Sequence, residues 1–491
     1  MYNISMKTIT AFMLIAAATL AGCSRTPPER QVIDDAAEAL GGAAPVRSAT
    51  ALLLDGGGTN GDLGQNRAPD ADLPLFNVSE LRHAIDLANR RARRSMNRVE
   101  ADDPTESDSQ NFGWDNGVAY NIDAKGMARR QGDIVARERQ AELFLHHPLA
   151  LVRAALDDGA TVSNLRRDGD TTLVDITTSQ GEMVTLGVNS ETHLPVLARS
   201  MFYHPNLGDT LRETTFSDYQ AVSGLRLPAR MMTRVDRYPV ADLTFTRQAL
   251  NEAIEDISAP SDVRSAEAPT PVANVTVQEV APGVWWLAGQ SHHSVLVEFS
   301  DHLKLIEVPQ NETRALAVIA KARELRPDKP LTKAVVTHHH FDHSGGIRAA
   351  IAEGLTLVTH ERNRALFEEL AKRPHTIVQD ALARNPREAR IETVADDMTV
   401  KDAMRSMRVF HVIDGTGHSD SMLAVYLPNE RILVQGDLFN SQGPNPKRMA
   451  IINKRFEELG LRIQRHVPIH GAITPHTEYL KIMRSAQPTA S

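Results

Sequence analysis

The sequence predicts an α/β domain in the C-terminal part of the chain, preceded by an α+β domain that is rich in strands. Short β-rich runs punctuated by Gly, Pro and Asn fill residues 171–247, whereas strand and helix patterns alternate after residue 284. Between them, residues 258–274 are rich in Ala, Pro and Ser and lack apolar periodicity, which is typical of a linker. We therefore predict an N-terminal domain at residues 23–257 and a C-terminal domain at residues 275–491.

The composition narrows the classes of function. The chain has 491 residues, 62 Asp and Glu against 54 Lys and Arg, and a formal net charge of −8. Nucleic-acid binding needs clustered Lys and Arg to contact phosphates, so this balance argues against a nucleic-acid partner. A single Cys excludes an intramolecular disulfide framework and a CxxC redox pair. The 19 His indicate imidazole and carboxylate ligands if a metal is bound.

The N-terminal segment, residues 1–22, has the pattern of a secretory signal peptide. It carries one charge, Lys7, before an apolar run at residues 11–22 that is shorter than the roughly 20 residues needed to cross a bilayer. The final residues, Leu20-Ala21-Gly22-Cys23, resemble a bacterial lipobox. That resemblance implies that Cys23 is lipid-modified and begins the mature protein. With Ser24 next, it also implies an exported lipoprotein, anchored in the outer membrane and facing the periplasm.

The predicted N-terminal domain contains helical and strand patterns but no catalytic motif. Residues 81–98 are basic and helix-like, and residues 133–156 look helical with a break at Pro148. Runs at residues 171–178, 182–188, 194–203, 225–235 and 240–246 predict an antiparallel meander. The turns at residues 189–192 and 223–228 resemble the periplasmic lipoprotein-carrier family, which implies a half-barrel with an apolar concave face. An unassigned α+β domain is the alternative.

The C-terminal domain carries a dense group of ligand-type side chains. A short β-branched strand at residues 333–337 leads directly into His338-His339-His340-Phe341-Asp342-His343, and residues 347–353 then look helical. In α/β folds this order places functional groups at the C-terminal edge of the sheet. His338 and His340 project to one side of an extended backbone, while Asp342 and His343 follow in the turn. This spacing suits two cations.

The order of motifs resembles the metallo-β-lactamase fold superfamily. Gly415-Thr416-Gly417-His418-Ser419 is similar to the loop with the third histidine of the first metal, and Gln435-Gly436-Asp437 to the strand end with a bridging carboxylate. Val467-Pro468-Ile469-His470-Gly471 is similar to the last motif of the family. The resemblance covers residues 275–484 and implies an αββα sandwich.

The resemblance also implies the ligands and the chemistry. The first metal would take His338, His340 and His418, the second Asp342, His343 and His470, with Asp437 bridging. Such ligands suit zinc, and iron or manganese also accept them. Two cations about 3.5–4 Å apart would hold a bridging hydroxide. Asp342, the predicted catalytic residue, would orient this hydroxide and take up its proton.

Three neighbouring positions lie outside this ligand set. His292, in a loop between two predicted strands, is interpreted as a histidine without a metal role. His339 is expected to pack or to contact the ligands from behind. Glu307-Val308-Pro309 stands where many family members carry an Asp-Thr-Gly-like turn, and the change is expected to alter the support of the metal loop.

The cysteine count separates subclasses of the family. One group of β-lactamases has a Cys ligand where this chain has Asp437, and the only Cys here is Cys23. The resemblance therefore implies a metal-dependent hydrolase that acts on a small-molecule ester, thioester, lactone or amide. The alternatives are a β-lactam-degrading lipoprotein and a periplasmic binding or accessory lipoprotein with a secondary metal site.

Overall fold

The computed structural model describes residues 26–485 apart from residues 103, 105, 413, 414 and 416. The predicted signal peptide at residues 1–22 and the lipid site at Cys23 lie outside the described residues. Within the described part, no helix combines the length and hydropathy needed to cross a membrane.

The N-terminal region, residues 26–257, is built on one large antiparallel sheet. Its strands are β1 (Ala51–Gly61), β2 (Leu75–Asp86), β3 (Arg91–Glu100), β4 (Ser107–Asp115), β5 (Val118–Ile122), β6 (Ala128–Arg130), β7 (Thr161–Asp168), β8 (Thr171–Thr177), β9 (Met183–Asn189), β10 (Pro195–His204), β11 (Gly208–Val222), β12 (Leu225–Val235) and β13 (Tyr238–Leu250). The order is β6-β5-β4-β3-β2-β1-β13-β12-β11-β10-β9-β8-β7. Two meanders therefore meet where β1 pairs with β13.

Helices cover one face of this sheet. They are α1 (Pro28–Leu40), α2 (Ala43–Ser48), α3 (Asp133–Arg139) and α4 (Pro148–Ala155), with a π-helical turn at Gln140–Leu145. Ile33 of α1 and Leu151 of α4 belong to the same buried cluster as Leu52 of β1 and Val174 of β8. The predicted helical segment at residues 133–156 and its break at Pro148 are confirmed, because α4 starts at that proline.

The helix predicted at residues 81–98 is wrong, since these residues form the end of β2, a turn and most of β3. At the start of the segment the burial alternates as in a strand, because Leu81 and His83 are buried while Arg82 between them is exposed. Arginines of this segment, which made it look like a solvated helix, instead pair with acids on neighbouring elements. The Arg98 guanidinium, for example, donates to both carboxylate oxygens of Asp108 on β4, at 2.7 and 2.8 Å.

The C-terminal domain contains two further sheets. One has the order β14 (Thr276–Ala281), β15 (Val284–Ala288), β16 (Ser294–Glu298), β17 (Leu303–Ile306), β18 (Leu331–Val335), β19 (Thr356–His360) and β20 (Ile391–Val394). The other has the order β21 (Asp397–Lys401), β22 (Ser406–His411), β23 (Leu423–Leu427), β24 (Ile432–Gln435), β25 (Arg465–Pro468) and β26 (Thr474–Pro475). Before this domain, α5 (Ser261–Ser265) lies in the predicted linker, where Val263 packs with Tyr120 of β5. The helices of the C-terminal domain are α6 (Glu312–Leu325), α7 (Phe341–Ser344), α8 (Ile347–Ala352), α9 (Arg364–Lys372), α10 (Ala381–Arg384), α11 (Pro446–Glu458) and α12 (His476–Ser485).

These elements stack as helix, sheet, sheet and helix. Leu305 on β17 packs in one cluster with Val318 of α6, whereas the next residue, Ile306, packs between the sheets with Val425 of β23. The outer face of the second sheet is covered by α11 and α12. This is the four-layer order expected from the sequence, and it brings the ends of β18 and β24 to one edge of the sandwich.

The N-terminal sheet packs against this sandwich. Leu73, Leu207 and Tyr238, which lie in or beside three connections between its strands, share a buried cluster with Leu366 and Phe367 of α9. Backbone hydrogen bonds add to this contact, as where Asp209 N donates to Pro374 O at 2.8 Å. One of the three connections, between β1 and β2, is thereby held beside α7.

Candidate metal centre

The loop after β18 collects imidazoles at the edge of the sandwich. His338 and His340 follow the strand, and Asp342 and His343 lie on α7. Gly436 lets the end of β24 approach this loop, because a Cβ there would lie 2.8 Å from Thr337 Oγ1. Asp437, the next residue, therefore reaches the histidines.

Four of the predicted residues form a first cluster: His338, His340, His418 and Asp437, whose ligand atoms lie within 4.8 Å of one another. Within the described part of the chain, His338 Nε2 and His340 Nδ1 are buried without a hydrogen-bond partner. A buried polar atom without a hydrogen bond lowers the stability of the folded chain by about 1–3 kcal/mol. These two nitrogens therefore suit a group that accepts their lone pairs. A cation is such a group.

A second cluster lies beside the first. It consists of His292, Asp342, His343 and His470, again within 4.8 Å of one another. His343 Nε2 and His470 Nε2 are 3.1 Å apart, and His292 Nε2 is 3.1 Å from Asp342 Oδ2. Imidazole nitrogens that converge on one another and on a carboxylate are a donor set for a divalent cation.

The Asp437 carboxylate lies between the two clusters. Its Oδ2 is 3.0 Å from His418 Nε2, while its Oδ1 is 3.1 Å from both His343 Nε2 and His470 Nε2. Each oxygen therefore faces one cluster, which is the arrangement that a bridging carboxylate needs.

The electrostatics also suit a cation. Burial, together with neighbouring imidazoles, lowers the pKa of His338 and His340 well below their ordinary value, which keeps both neutral and able to act as ligands. Burial would raise the pKa of Asp437, but His343 and other nearby histidines hold it far below its ordinary range. Burial also opposes a charged His343, yet Asp437 and Glu307 raise its pKa well above the usual value. The carboxylates of Asp437 and Glu307 therefore favour a positive charge beside His343.

His292 belongs to this centre, although the sequence predicts a loop histidine without a metal role: its ring centroid lies 3.9 Å from that of His470. The available signal was the His292-His293 pair between two strands, but spacing alone does not tell which ring faces inward. His293 turns away: its Nε2 donates to Gly471 O at 3.1 Å.

Glu307 stands where the sequence departs from the family pattern, at the position that is expected to alter the support of the metal loop. The side chain is fully buried, and its Oε2 accepts from Thr337 Oγ1 at 2.5 Å and from His343 Nδ1 at 3.1 Å. Thr337 Oγ1 in turn lies 3.0 Å from His338 Nδ1. Glu307 thus fixes the ring orientation of one histidine in each cluster, directly for His343 and through Thr337 for His338.

His339 packs behind the clusters, as expected. It is buried, and its Nδ1 lies 3.1 Å from Ser421 Oγ. The remaining ligand-type residue, His470, has its ring fixed by a hydrogen bond from Nδ1 to Ser291 O at 3.0 Å, which leaves Nε2 in the second cluster.

The C-terminal part of the chain is similar to known proteins. Residues 291–486 match the family model of the metallo-beta-lactamase superfamily, so the C-terminal part of the chain carries a domain of this superfamily. Similar solved structures include a metallo-beta-lactamase from Pontibacter korlensis (20% identity, TM-score 0.34, 44% of this chain and 100% of that one). Another is a metallo-beta-lactamase from Hirschia baltica (18% identity, TM-score 0.33, 43% of this chain and 96% of that one).

Proposed function

We propose that the chain is a metal-dependent hydrolase that acts on a small-molecule ester, thioester, lactone or amide. The observation that carries the proposal is the position of Asp437, whose two oxygens face two adjacent His/Asp clusters. Two divalent cations held there would supply Lewis-acid chemistry, polarising a carbonyl oxygen and making water a stronger nucleophile at neutral pH.

We assign the ligands by cluster. His338, His340 and His418 would hold one cation, and Asp342, His343, His470 and His292 would hold the other, with Asp437 available to both. His292 is the member of this set that the sequence does not predict. Nitrogen and oxygen donors of this kind favour zinc, and iron and manganese are the alternatives.

Asp342 is proposed as the residue that transfers the proton from the attacking water to the leaving group. Its side chain is 36% exposed, so substrate and water reach it. Oδ2 faces His292 and the second cluster, whereas Oδ1 accepts from Gln65 Nε2 at 3.0 Å. Oδ1 keeps a second lone pair, with which it would accept a proton from the attacking water and return it to the leaving group. Burial would raise the pKa of this carboxyl, but the hydrogen bond from His292 and nearby His343 lower it, so the carboxylate is ionised at neutral pH.

We propose further that the enzyme works outside the cytoplasm. Leu20-Ala21-Gly22-Cys23 has the lipobox pattern, so the chain would be exported and attached by lipid on Cys23 to the outer membrane, facing the periplasm. Its partner in the reaction is a small molecule rather than a nucleic acid, in agreement with the net charge of −8.

The test is a substrate panel measured together with metal content. Metal-free full-length protein is loaded with zinc, iron or manganese and assayed on chromogenic β-lactam, thioester, lactone and phosphodiester substrates. We expect metal-dependent turnover on an ester-like or amide-like substrate, and a kcat about 10²–10⁴-fold lower in Asp342→Asn. Asp301→Asn is the matched control, because the Asp301 side chain is 87% exposed and pairs with His302. Equal rates for metal-loaded wild type and Asp342→Asn on every substrate would contradict the proposal.

A further inference from the structure

The loop between β1 and β2, residues 62–74, belongs to the N-terminal region but lies on the metal centre. Three consecutive residues of the loop, Gly64, Gln65 and Asn66, run beside residues 340–342. Gly64 O accepts from Phe341 N at 3.2 Å. The β1–β2 loop therefore contacts the segment that carries ligands of both clusters.

Gln65 contacts the second cluster. Its Nε2 donates to Asp342 Oδ1 at 3.0 Å, while Asp342 Oδ2 lies 3.1 Å from His292 Nε2. The two oxygens of this carboxylate are thus held by different parts of the chain. With Oδ1 tied to the loop, Oδ2 stays turned toward the histidines of the second cluster.

Asn66 contacts the first cluster through its backbone. His340 Nε2 donates to Asn66 O at 2.9 Å, which fixes the tautomer and leaves the lone pair on Nδ1. That Nδ1 is the buried nitrogen without a hydrogen-bond partner among the described residues. The β1–β2 loop therefore orients one ligand of each cluster, although it is separated from them by more than 270 positions in the sequence.

The β1–β2 loop has a defined conformation that its own hydrogen bonds hold in place. Asn66 Nδ2 donates to Ala71 O at 2.6 Å, and Asp62 N donates to Pro74 O at 3.0 Å, so the loop closes on itself. Gly64 has φ +82°, and a Cβ there would lie 2.2 Å from the ring of Phe341. This close approach seats the loop, and even a methyl group at Gly64 would displace it or the Phe341 ring.

A second connection of the N-terminal sheet supports the same segment. Asn206, in the turn between β10 and β11, donates through Nδ2 to Phe341 O at 3.1 Å. The ring of Phe341 also lies 5.3 Å from that of His204, centroid to centroid. Phe341, between the two ligands His340 and Asp342, is therefore held by the N-terminal region from two sides.

We propose that the β1–β2 loop is a built-in part of the metal centre and that Gln65 is the positioning residue for Asp342. The N-terminal region thereby controls how tightly the second cluster holds its cation. This inference rests on the proposed function, because it assumes that both clusters bind metal. The N-terminal region would then contribute to turnover without supplying a metal ligand itself.

The test uses full-length variants and reads metal binding directly. In Gln65→Met the side chain keeps its length but loses the amide donor. Zinc content after equilibrium dialysis, zinc affinity by competition with a chromophoric chelator, and the visible spectrum of the cobalt-loaded protein are measured. We expect one of two zinc ions to bind about 10–100-fold more weakly, with the other unchanged and a shifted cobalt spectrum. Asp72→Asn is the matched control, because Asp72 is exposed in the same loop.

A second variant separates the role of Gln65 from that of the whole loop. Gly64→Ala should weaken both metal sites, since displacing the loop also removes the acceptor of His340. If Gly64→Ala does not fold, Gln65→Met alone decides. Wild-type affinities and an unchanged cobalt spectrum in Gln65→Met would overturn the inference. Failure of the proposed function looks different: wild-type protein would itself bind fewer than two zinc ions or show no turnover.

Discussion

His146 in the N-terminal region and His338 in the metal centre are both buried, but they differ in what their ring nitrogens face. Both nitrogens of His146, beneath the N-terminal sheet, are hydrogen-bonded: Nδ1 lies 2.9 Å from Thr214 Oγ1 and Nε2 lies 2.9 Å from Ser200 Oγ. In the metal centre His338 has one nitrogen beside Thr337, while the other has no hydrogen-bond partner among the described residues. Both rings are fully buried, so burial by itself does not distinguish packing from ligation.

The difference teaches how to recognise a ligand set. A satisfied histidine stabilises the core through its two hydrogen bonds, whereas one with a single tethered nitrogen keeps a lone pair directed at a fixed point. In the metal centre the tethers converge from separate parts of the chain, with Glu307 holding His343 and the Asn66 carbonyl holding His340. We therefore expect the largest effect on metal binding or stability from loss of a ligand. Loss of a residue that orients a ligand should have a smaller effect, and loss of a packing histidine the smallest.

The largest effect is expected from Asp437→Ala, because this carboxylate faces both clusters. Outer partners of metal ligands are worth about 10–100-fold in metal affinity, so loss of a shared ligand should exceed about 100-fold in both zinc affinity and kcat/KM. Zinc content per chain and steady-state kinetics check this. His146→Asn is the matched control, since it also changes a buried, hydrogen-bonded side chain but lies outside both clusters. If both variants lose zinc to the same extent, the distinction between the two kinds of histidine fails.

A smaller effect is expected from Glu307→Gln, which keeps the size of the side chain but puts an amide where His343 and Thr337 donate. The second cation should bind about 10–100-fold more weakly, as measured by competition with a chromophoric chelator. Glu298→Gln is the matched control: Glu298 is also buried and accepts from Lys329 Nζ at 2.6 Å, away from both clusters. Its substitution should lower the free energy of unfolding without changing zinc affinity. An unchanged zinc affinity in Glu307→Gln would show that Glu307 does not support the second metal site.

The sequence predicted the residues that lie in compact motifs. His338, His340, Asp342 and His343 could be found because one strand and one turn bring them together, and the structure places all four in the two clusters. Strands in residues 171–247 were found for a similar reason, since their alternating pattern and turns are local.

Residues that reach the site from elsewhere could not be predicted in this way. Gln65 is 277 positions from Asp342, and nothing near it in the sequence marks its contact. Glu307 appeared only as a departure from a family pattern, and its support of His343 depends on how β17 and α7 pack. The helix predicted at residues 81–98 failed for a related reason: its arginines are neutralised by acids such as Asp108 on a neighbouring strand, which charge patterning along the chain does not reveal.

The smallest effect is expected in the N-terminal region, where acid should reduce stability through its buried histidines. Burial lowers the pKa of His146 to about 3, whereas an unfolded histidine titrates near 6.5. As the pH falls below 6.5 the unfolded chain binds a proton that the folded chain does not, so the free energy of unfolding falls by up to about 1.4 kcal/mol per pH unit for each such group. His146→Gln should therefore show a shallower loss of stability between pH 6.5 and 5, by about one proton, in urea unfolding of zinc-loaded protein followed by circular dichroism. Ser200→Ala, which removes a hydrogen bond but keeps the titrating ring, should lower stability at pH 7 and retain the wild-type slope; an unchanged slope in His146→Gln would mean that His146 is charged in the folded chain.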